Sequence, residues 1–114
     1  MKNNPLITIG IATFNCLDTV DICINSALSQ TWRPIEIIVF DDNSCDGTYE
    51  KLCDISLRNK EVKIFRNKKN HGIGYVRNQI INKALGEFLA FFDDDDISNK
   101  ERLILQYQRI TEYE

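Results

Sequence analysis

The chain has 114 residues, of which 43% are hydrophobic and 27% charged, and its formal net charge is -3. This length and composition predict one small domain with a single core. The acidic balance and the absence of a basic stripe argue against nucleic acid as a partner. No apolar run approaches the roughly 20 residues that cross a bilayer, and no signal peptide is evident, so we expect a cytoplasmic protein.

Four short apolar runs predict strands. They cover residues 6–12, 36–40, 62–65 and 88–92. The second and fourth runs are apolar at successive positions, which is typical of a parallel strand that is buried on both faces. The fourth run passes directly into four aspartates, residues 93–96.

The segments between these runs have helical periodicity. We expect a first helix from Leu17, capped by Asn15 or Asp18, and a second after the turn at residues 46–48. A third opens at residues 71–74 and ends at a Gly86 cap, and a fourth follows an Asn99 cap. The residues predicted to face inward on these helices are Leu17, Val20, Ile24, Ala27 and Leu28; Tyr49, Leu52, Cys53 and Ser56 or Leu57; Ile73, Val76, Ile80 and Ala84; and Leu103, Ile104, Tyr107 and Ile110.

Strand and helix thus alternate four times, which predicts an α/β fold with a mainly parallel sheet between two helical layers. The carboxyl ends of parallel strands share one edge of the sheet, where ligands bind. Three polar clusters follow predicted strands, namely residues 13–15, 41–44 and 93–96. The sequence therefore predicts a binding site at this edge.

The four aspartates of residues 93–96 predict a cation at that edge. Carboxylates this close together repel one another and raise one another's pKa unless a cation neutralises them, and oxygen ligands suit Mg²⁺ or Mn²⁺. The alternative is a solvated acidic turn that caps the next helix. The convergence of the three clusters favours the metal site. Gly72 and Gly74, at the start of a helix, and cations such as Arg77 suit a nucleoside diphosphate. Zinc is not expected, because the cysteines form no Cys-x-x-Cys pair and His71 is the only histidine.

Six ordered blocks of the sequence resemble the N-terminal half of a family 2 glycosyltransferase. The blocks are Thr13-Phe14-Asn15, the segment that ends in Ser29-Gln30-Thr31, residues 36–48 with Asp41-Asp42 and Asp46-Gly47-Thr48, Asn70-x-Gly72, Arg77-Asn78, and residues 84–96. The resemblance covers nearly the whole chain. It implies the GT-A fold, whose Rossmann-like, nucleotide-sugar-binding half has the strand order 3-2-1-4.

The resemblance also implies roles for individual residues. Thr13, Phe14 and Asn15 would line the nucleoside pocket together with Gly72, and Asp42 would accept a hydrogen bond from the base, typically uracil. In the Asp-x-Asp motif of residues 93–95, Asp95 would bind the metal, with Asp96 as a neighbour that could substitute. Asp93 would meet the ribose or donor sugar and is also a candidate metal ligand. Asp94 would face solvent. Arg77 would either face the diphosphate or pair with these acids.

The implied activity is metal-assisted transfer of a sugar, with inversion, from a nucleoside diphosphate sugar to a hydroxyl acceptor. The donor would be a UDP-sugar and the acceptor a glycan or a lipid-linked molecule, which would place the full enzyme in the cytoplasm, with peripheral membrane association. The sequence departs from the family at Ala12 and Phe14, where proline and tyrosine are common. The catalytic base belongs beyond Glu114, so we expect residues 1–114 to be the donor-binding part of a longer enzyme and to bind nucleotide without transferring sugar. Exposed apolar surface could then make this part a homodimer.

Two other classes of protein place an acidic Mg²⁺ site on a similar α/β unit. A receiver-like signalling module carries its acidic pair after the first strand and its phosphorylated aspartate after the third. A phosphatase with an Asp-x-Asp nucleophile carries that motif after the first strand. Here the first strand ends in Thr13-Phe14-Asn15 and the third in Arg66-Asn67, which disfavours both classes.

Overall fold

The structure is a computed structural model that describes residues 4–95 and 97–112, so the predicted ligand Asp96 lies outside the described residues. Strands and helices alternate in the predicted order. They are β1 (Ile7–Thr13), α1 (Val20–Leu28), β2 (Ile35–Asp41), α2 (Thr48–Arg58), β3 (Val62–Arg66), α3 (Ile73–Lys83), β4 (Phe88–Phe92) and α4 (Arg102–Thr111). Every strand lies within one residue of its predicted bounds, because β-branched and aromatic runs between polar segments mark strands clearly.

The four strands form one parallel sheet with the order β3-β2-β1-β4, which confirms the predicted order. Thr13, the last residue of β1, pairs with Asp41, the last residue of β2. Ile11, near the end of β1, pairs with Phe92 at the end of β4. The polar segments that follow these three strands therefore leave the sheet side by side.

Side chains on the two faces of the sheet form two cores. In β2, Ile37 and Val39 belong to the core on one face, while Ile38 and Phe40 belong to the core on the other, as the two-residue period of a strand requires. The first core contains buried residues of α1, α2 and α4, and the second contains buried residues of α3. The predicted three-layer α/β/α arrangement is thus confirmed.

The helix starts and inward faces differ from the predictions at several positions. α1 begins at Val20 rather than Leu17, because the intervening residues form a turn onto the carbonyl of Cys16. Its N-cap is Thr19, so neither Asn15 nor Asp18 caps it. In α2, Leu57 is 84% exposed, whereas the alternative Ser56 is half-buried; Ile55, which was not predicted to face inward, is buried. Exposed side chains also include Ile73 and Ile110, predicted to face inward. Each of the misplaced positions lies at or near a helix end, where the periodicity is read from too few residues.

Gly86 does not cap α3, whose C-cap is Ala84. The Gly86 N–H donates to Thr8 Oγ1 at 2.9 Å. A Cβ at this position would lie 2.6 Å from that oxygen and 2.7 Å from the Thr8 nitrogen. Glycine is required here because the backbone before β4 packs directly against β1.

β4 is less buried than the sequence predicted. It is an edge strand of this sheet, and only Phe92 is fully buried, while residues 88–91 are half-buried. The apolar residues on both faces of β4 therefore belong to a partly exposed edge strand, and they do not indicate a strand in the centre of the sheet. Within residues 4–95 and 97–112, no helix is long and apolar enough to cross a membrane.

Candidate donor-binding site

Asp41 joins the ends of β1 and β2. Its buried carboxylate accepts hydrogen bonds from Thr13 Oγ1 at 2.8 Å, from Ser44 Oγ at 2.6 Å and from the Ser44 N–H at 2.8 Å. The Arg66 Nε lies 3.8 Å from the same carboxylate. Since Asp41 is fully buried beneath these partners, it shapes the edge of the sheet and does not present its carboxylate to a ligand.

Asp42 is 4% exposed and holds the loop between β3 and α3. Its Oδ1 accepts hydrogen bonds from Asn67 Nδ2 and the His71 N–H, both at 2.9 Å, and its Oδ2 accepts one from the Gly72 N–H at 2.8 Å. Burial would raise the pKa of Asp42, but these three bonds outweigh it and lower the pKa below the ordinary value. A carboxylate has about four acceptor positions, so Oδ2 keeps one for a ligand.

A cavity of about 380 Å³ opens beside Asp42 at the carboxyl edge of the sheet. It brings together the ends of β1, β2 and β4 and the start of α3. Its lining residues are Ala12, Thr13, Phe14, Asp42, Asn70, Gly72, Ile73, Val76, Arg77, Phe91, Phe92, Asp93 and Asp94. Six of the residues predicted for the nucleotide site thus share one cavity, which is mostly apolar with a few polar groups, as ligand sites commonly are.

Two predicted site residues, Asn15 and Asp95, lie in a neighbouring polar cavity that shares Phe14 and Asp94 with the first. The Asn15 backbone has a φ of 49°, and its side-chain Oδ1 accepts a hydrogen bond from the Cys45 N–H at 2.9 Å. Asn15 therefore connects the β1 loop to the β2 loop. Phe14 lines both cavities and is 47% exposed, so its side chain is accessible to a ligand at this edge.

Arg77 and Gly72 contribute from the start of α3. The Arg77 guanidinium lies over the Phe91 ring, 5.3 Å from its centroid, and the side chain lines the cavity. No ion pair joins Arg77 to another residue in the part of the chain that the structure describes. Gly72 has a φ of 91°, which favours glycine and turns its N–H towards Asp42.

The acidic loop, defined here as residues 93–95, follows β4. Asp93 and Asp95 are exposed, whereas Asp94 is half-buried and lines both cavities. Burial raises the pKa of Asp94, and the charges of Asp95 and Asp93 raise it further, while hydrogen bonds from the Cys16 thiol and the Phe14 N–H lower it in part. The prediction that Asp94 faces solvent is therefore wrong, because the loop turns back over the end of β1.

The donor atoms at this edge suit a divalent cation bound jointly with a ligand. Among the described residues, no three histidine, cysteine or acidic side chains are placed to hold a metal by themselves. Asp93 and Asp95 offer exposed carboxylates beside the cavity. Mg²⁺ commonly uses one or two carboxylates together with the phosphates of a substrate, so this pair fits such a site.

Two asparagines at the site had no role predicted from the sequence, where Asn70 appeared only within the Asn70-x-Gly72 block. Asn67 is buried and donates to Asp42, and Asn70 Nδ2 lies 3.4 Å from the Asp42 carbonyl oxygen. Asn67 follows β3 directly, in the same position that Asp42 has after β2. Its position directly after a strand could have identified Asn67 as a site residue, but the basic residues of the segment indicated a polar loop instead.

Comparison with known proteins gives a consistent result. Residues 8–114 match the family model described as glycosyl transferase family 2. The chain is 42% identical over 93 residues to the Escherichia coli protein named UDP-Glc:alpha-D-GlcNAc-diphosphoundecaprenol beta-1,3-glucosyltransferase WfaP, covering 80% of this chain and 36% of that relative. It is 34% identical over 101 residues to E. coli WfgD, which carries the same enzyme name, covering 89% of this chain and 39% of the relative.

Solved structures agree with the sequence relatives. The S. aureus TarS 1-349 structure in complex with UDP-GlcNAc has a TM-score of 0.82 and 32% identity, and the match covers 93% of this chain and 31% of that one. The chain spans about a third of the length of these relatives. Because the family model covers nearly all of the sequence and the neighbouring structures are GT-A glycosyltransferases, the chain belongs to glycosyl transferase family 2.

Proposed function

We propose that this chain is the donor-binding part of an enzyme that transfers the sugar of a UDP-sugar to a hydroxyl acceptor. The observation that carries the proposal is that one cavity joins a partly free carboxylate, an exposed aromatic ring and the acidic loop. The first two suit a nucleoside, and the third suits a diphosphate with its metal. TarS binds UDP and UDP-GlcNAc, as the descriptions of its structures state, and this supports UDP as the nucleotide.

The nucleoside would lie at the β1 and β2 end of the cavity. Phe14 offers a ring face on which a base can stack, and the remaining acceptor position on Asp42 Oδ2 suits the imide N–H of uracil. Thr13, whose hydroxyl is held by Asp41, and Gly72 complete the wall at this end. We propose Asn15 as a residue that holds the β1 loop in place from the neighbouring cavity.

The diphosphate would lie towards the acidic loop. Asp95 would bind a Mg²⁺ or Mn²⁺ ion, and Asp93 would bind that ion or the ribose or donor sugar, with Asp96 as a further candidate. A bound cation neutralises charge that develops on the diphosphate leaving group. Arg77 would contact a phosphate; the exposed side chain lines the cavity and forms no ion pair with another described residue, which supports this role.

The acceptor side of the reaction would be supplied beyond Glu114. We propose that a base there deprotonates the acceptor hydroxyl for in-line attack, with inversion at the anomeric carbon. WfaP and WfgD are named for a diphosphoundecaprenol acceptor, so we propose a glycan or lipid-linked acceptor and peripheral membrane association for the full enzyme. Residues 1–114 would then bind nucleotide without transferring sugar.

The test is a titration of this chain with UDP, with and without Mg²⁺, followed by ¹H–¹⁵N NMR shifts. We expect shifts at Phe14, Asp42 and the acidic loop. The affinity should be roughly ten- to hundredfold lower in Asp95→Asn, since one charged contact contributes about 1.5–3 kcal/mol. The matched control is Asp54→Asn, which alters an exposed aspartate of α2. Shifts only with Mg²⁺ and a phosphoryl mimic would favour a receiver-like module and overturn the proposal.

We also propose that the chain can associate as a homodimer through its apolar edge. β4 is an edge strand with half-buried residues, and Ile110 of the adjoining α4 is exposed. Exposed apolar surface of this kind favours association. Sedimentation at several concentrations tests this, and a monomer at every concentration would contradict it.

A further inference from the structure

Four polar side chains lie along one side of α1 and its flanking residues. We call them the polar stripe: Thr19, Cys23, Ser26 and Gln30. Their spacing of four, three and four residues places them on a single side of a helix. Thr19 is the N-cap of α1, and Gln30 follows its C-cap. Cys23, Ser26 and Gln30 are buried, where polar groups are unfavourable unless they are hydrogen-bonded.

The first half of the polar stripe binds the main chain of the acidic loop. Cys23 Sγ donates to the Asp93 carbonyl oxygen at 2.9 Å. Thr19 Oγ1 donates to the Asp94 carbonyl oxygen at 3.0 Å. Both contacts join residues at least 70 positions apart in the sequence, and both reach peptide groups of the loop rather than its carboxylates.

The second half of the polar stripe binds the segment that follows. Ser26 Oγ donates to the Ser98 carbonyl oxygen at 3.0 Å and accepts the Ser98 N–H at 2.6 Å. Gln30 Nε2 donates to the Asn99 carbonyl oxygen at 2.7 Å, and its Oε1 accepts the Leu103 N–H at 3.1 Å. These bonds attach the start of α4 to the end of α1. The acidic loop is therefore attached to α1 on one side and to a fixed segment on the other.

We propose that Thr19 and Cys23 are positioning residues that hold the acidic loop in the geometry needed for a metal-bound diphosphate. This inference rests on the proposed function, in which Asp93 and Asp95 meet that ligand. Carboxylates in one short loop repel each other, and a loop free to spread would have to be ordered on binding, at a cost in affinity. Bonds to the Asp93 and Asp94 carbonyls order the main chain before the ligand arrives and leave the carboxylates free.

The two halves of the polar stripe should differ in their effects. Ser26 and Gln30 bind residues outside the acidic loop, so their loss should lower stability first. Thr19 and Cys23 bind the loop itself, so their loss should weaken the diphosphate end of the site. The nucleoside end, at Phe14 and Asp42, is held by other bonds and should be unaffected.

The experiment compares uridine with UDP plus Mn²⁺, each titrated into the wild-type chain, Cys23→Ala and Thr19→Val by isothermal titration calorimetry. We expect the affinity for UDP with Mn²⁺ to fall roughly three- to tenfold per lost hydrogen bond, while the affinity for uridine stays unchanged. Cys23→Ser, which keeps a donor, should restore binding. Ser29→Ala is the matched control, because Ser29 is exposed on the same helix and should behave as wild type.

The outcomes separate this inference from the proposed function. If wild-type chain fails to bind UDP with Mn²⁺, the proposed function is overturned and the positioning role with it. If wild type binds but Cys23→Ala and Thr19→Val match it, the positioning role alone is overturned. Equal losses for uridine and for UDP with Mn²⁺ would indicate a general structural effect and would also overturn it. Circular dichroism on each variant confirms that the proteins compared are folded.

Discussion

Replacing Asp42 with asparagine tests whether one carboxylate both holds the β3–α3 loop and selects the base. Three protein donors converge on it, from the Asn67 side chain and from the His71 and Gly72 backbone. An amide offers one oxygen and one NH₂ group. If its oxygen keeps the two bonds now made by Oδ1, its NH₂ group must face the Gly72 N–H, which then loses its acceptor.

The expected cost follows from these contacts. A partly buried N–H without an acceptor costs about 1–3 kcal/mol, and the loss of charge from the two remaining bonds costs about 1 kcal/mol more. We therefore expect Asp42→Asn to lower the free energy of unfolding by about 2–4 kcal/mol. At about 4 °C per kcal/mol for a domain of this size, the thermal midpoint should fall by about 8–16 °C.

The pH dependence of stability should change in the same variant. The hydrogen bonds hold the pKa of Asp42 below its ordinary value, so the folded state releases this proton more readily than the unfolded state does. The wild-type chain thus gains stability above the unfolded-state pKa of about 3.9 and loses it as pH falls through the lower folded-state pKa. Asp42→Asn should lack this contribution, so the difference between the two proteins should shrink below about pH 4.

The assay combines urea unfolding at pH 7 and pH 3.5 with nucleotide titrations. The variant's NH₂ group cannot accept the uracil N–H but can donate to the acceptor nitrogen of cytosine. We therefore expect the affinity of the variant for UDP to fall, and its affinity for CDP to rise relative to its affinity for UDP. Asp54→Asn, on the exposed side of α2, controls for the loss of one charge. A variant of Asp42 with wild-type stability at pH 7 and unchanged preference for UDP would refute this reasoning.

Three further predictions concern other parts of the fold. Burial would raise the pKa of Glu36, but its hydrogen bonds outweigh burial and lower that pKa. Glu36→Gln should therefore lower the free energy of unfolding by about 1–3 kcal/mol at pH 7. Urea unfolding should show this loss shrinking as the pH falls through the folded-state pKa of Glu36. Gly86→Ala should lower the thermal midpoint sharply, because the new Cβ would meet the β1 backbone at 2.7 Å; Gly74→Ala, which meets nothing within 4 Å in α3, should instead gain about 0.5–1 kcal/mol. Burial, and after it the neighbouring Asp94 carboxylate, raises the pKa of the Cys16 thiol to about 12. Iodoacetamide at pH 8 should therefore label exposed Cys45 well before Cys16, which mass spectrometry of the peptides measures. Faster labelling of Cys16 would contradict the burial argument.

Part of the site was predictable from local sequence alone. The polar segments after β1, β2 and β4 could be assigned to one edge, because parallel strands must present their carboxyl ends together. Thr13, Phe14, Asp42 and Asp93 accordingly line one cavity. The roles of Asp93 and Asp95 towards a metal remain predictions, since they depend on a ligand rather than on the fold.

Other features could not be read from the sequence, because they depend on contacts between distant segments. Asp94 looked like an exposed member of an acidic run, yet it is half-buried where the loop turns over Phe14 and Cys16. Gly86 looked like a helix cap, yet it is a close contact with Thr8. In both cases the prediction from the local sequence was wrong, because a partner about 80 residues away in the sequence decides what the residue contacts.

The sequence by itself determined the order of strands and helices, the two-sided sheet and the edge that carries the site. These follow from hydrophobic periodicity and from the geometry of parallel strands, which are local or general properties. Only the tertiary structure decided how the acidic loop is held. The sequence analysis assigned no role to the polar stripe of α1. Its bonds to the Asp93 and Asp94 carbonyls exist because the parallel pairing of β1 with β4 brings the acidic loop against α1.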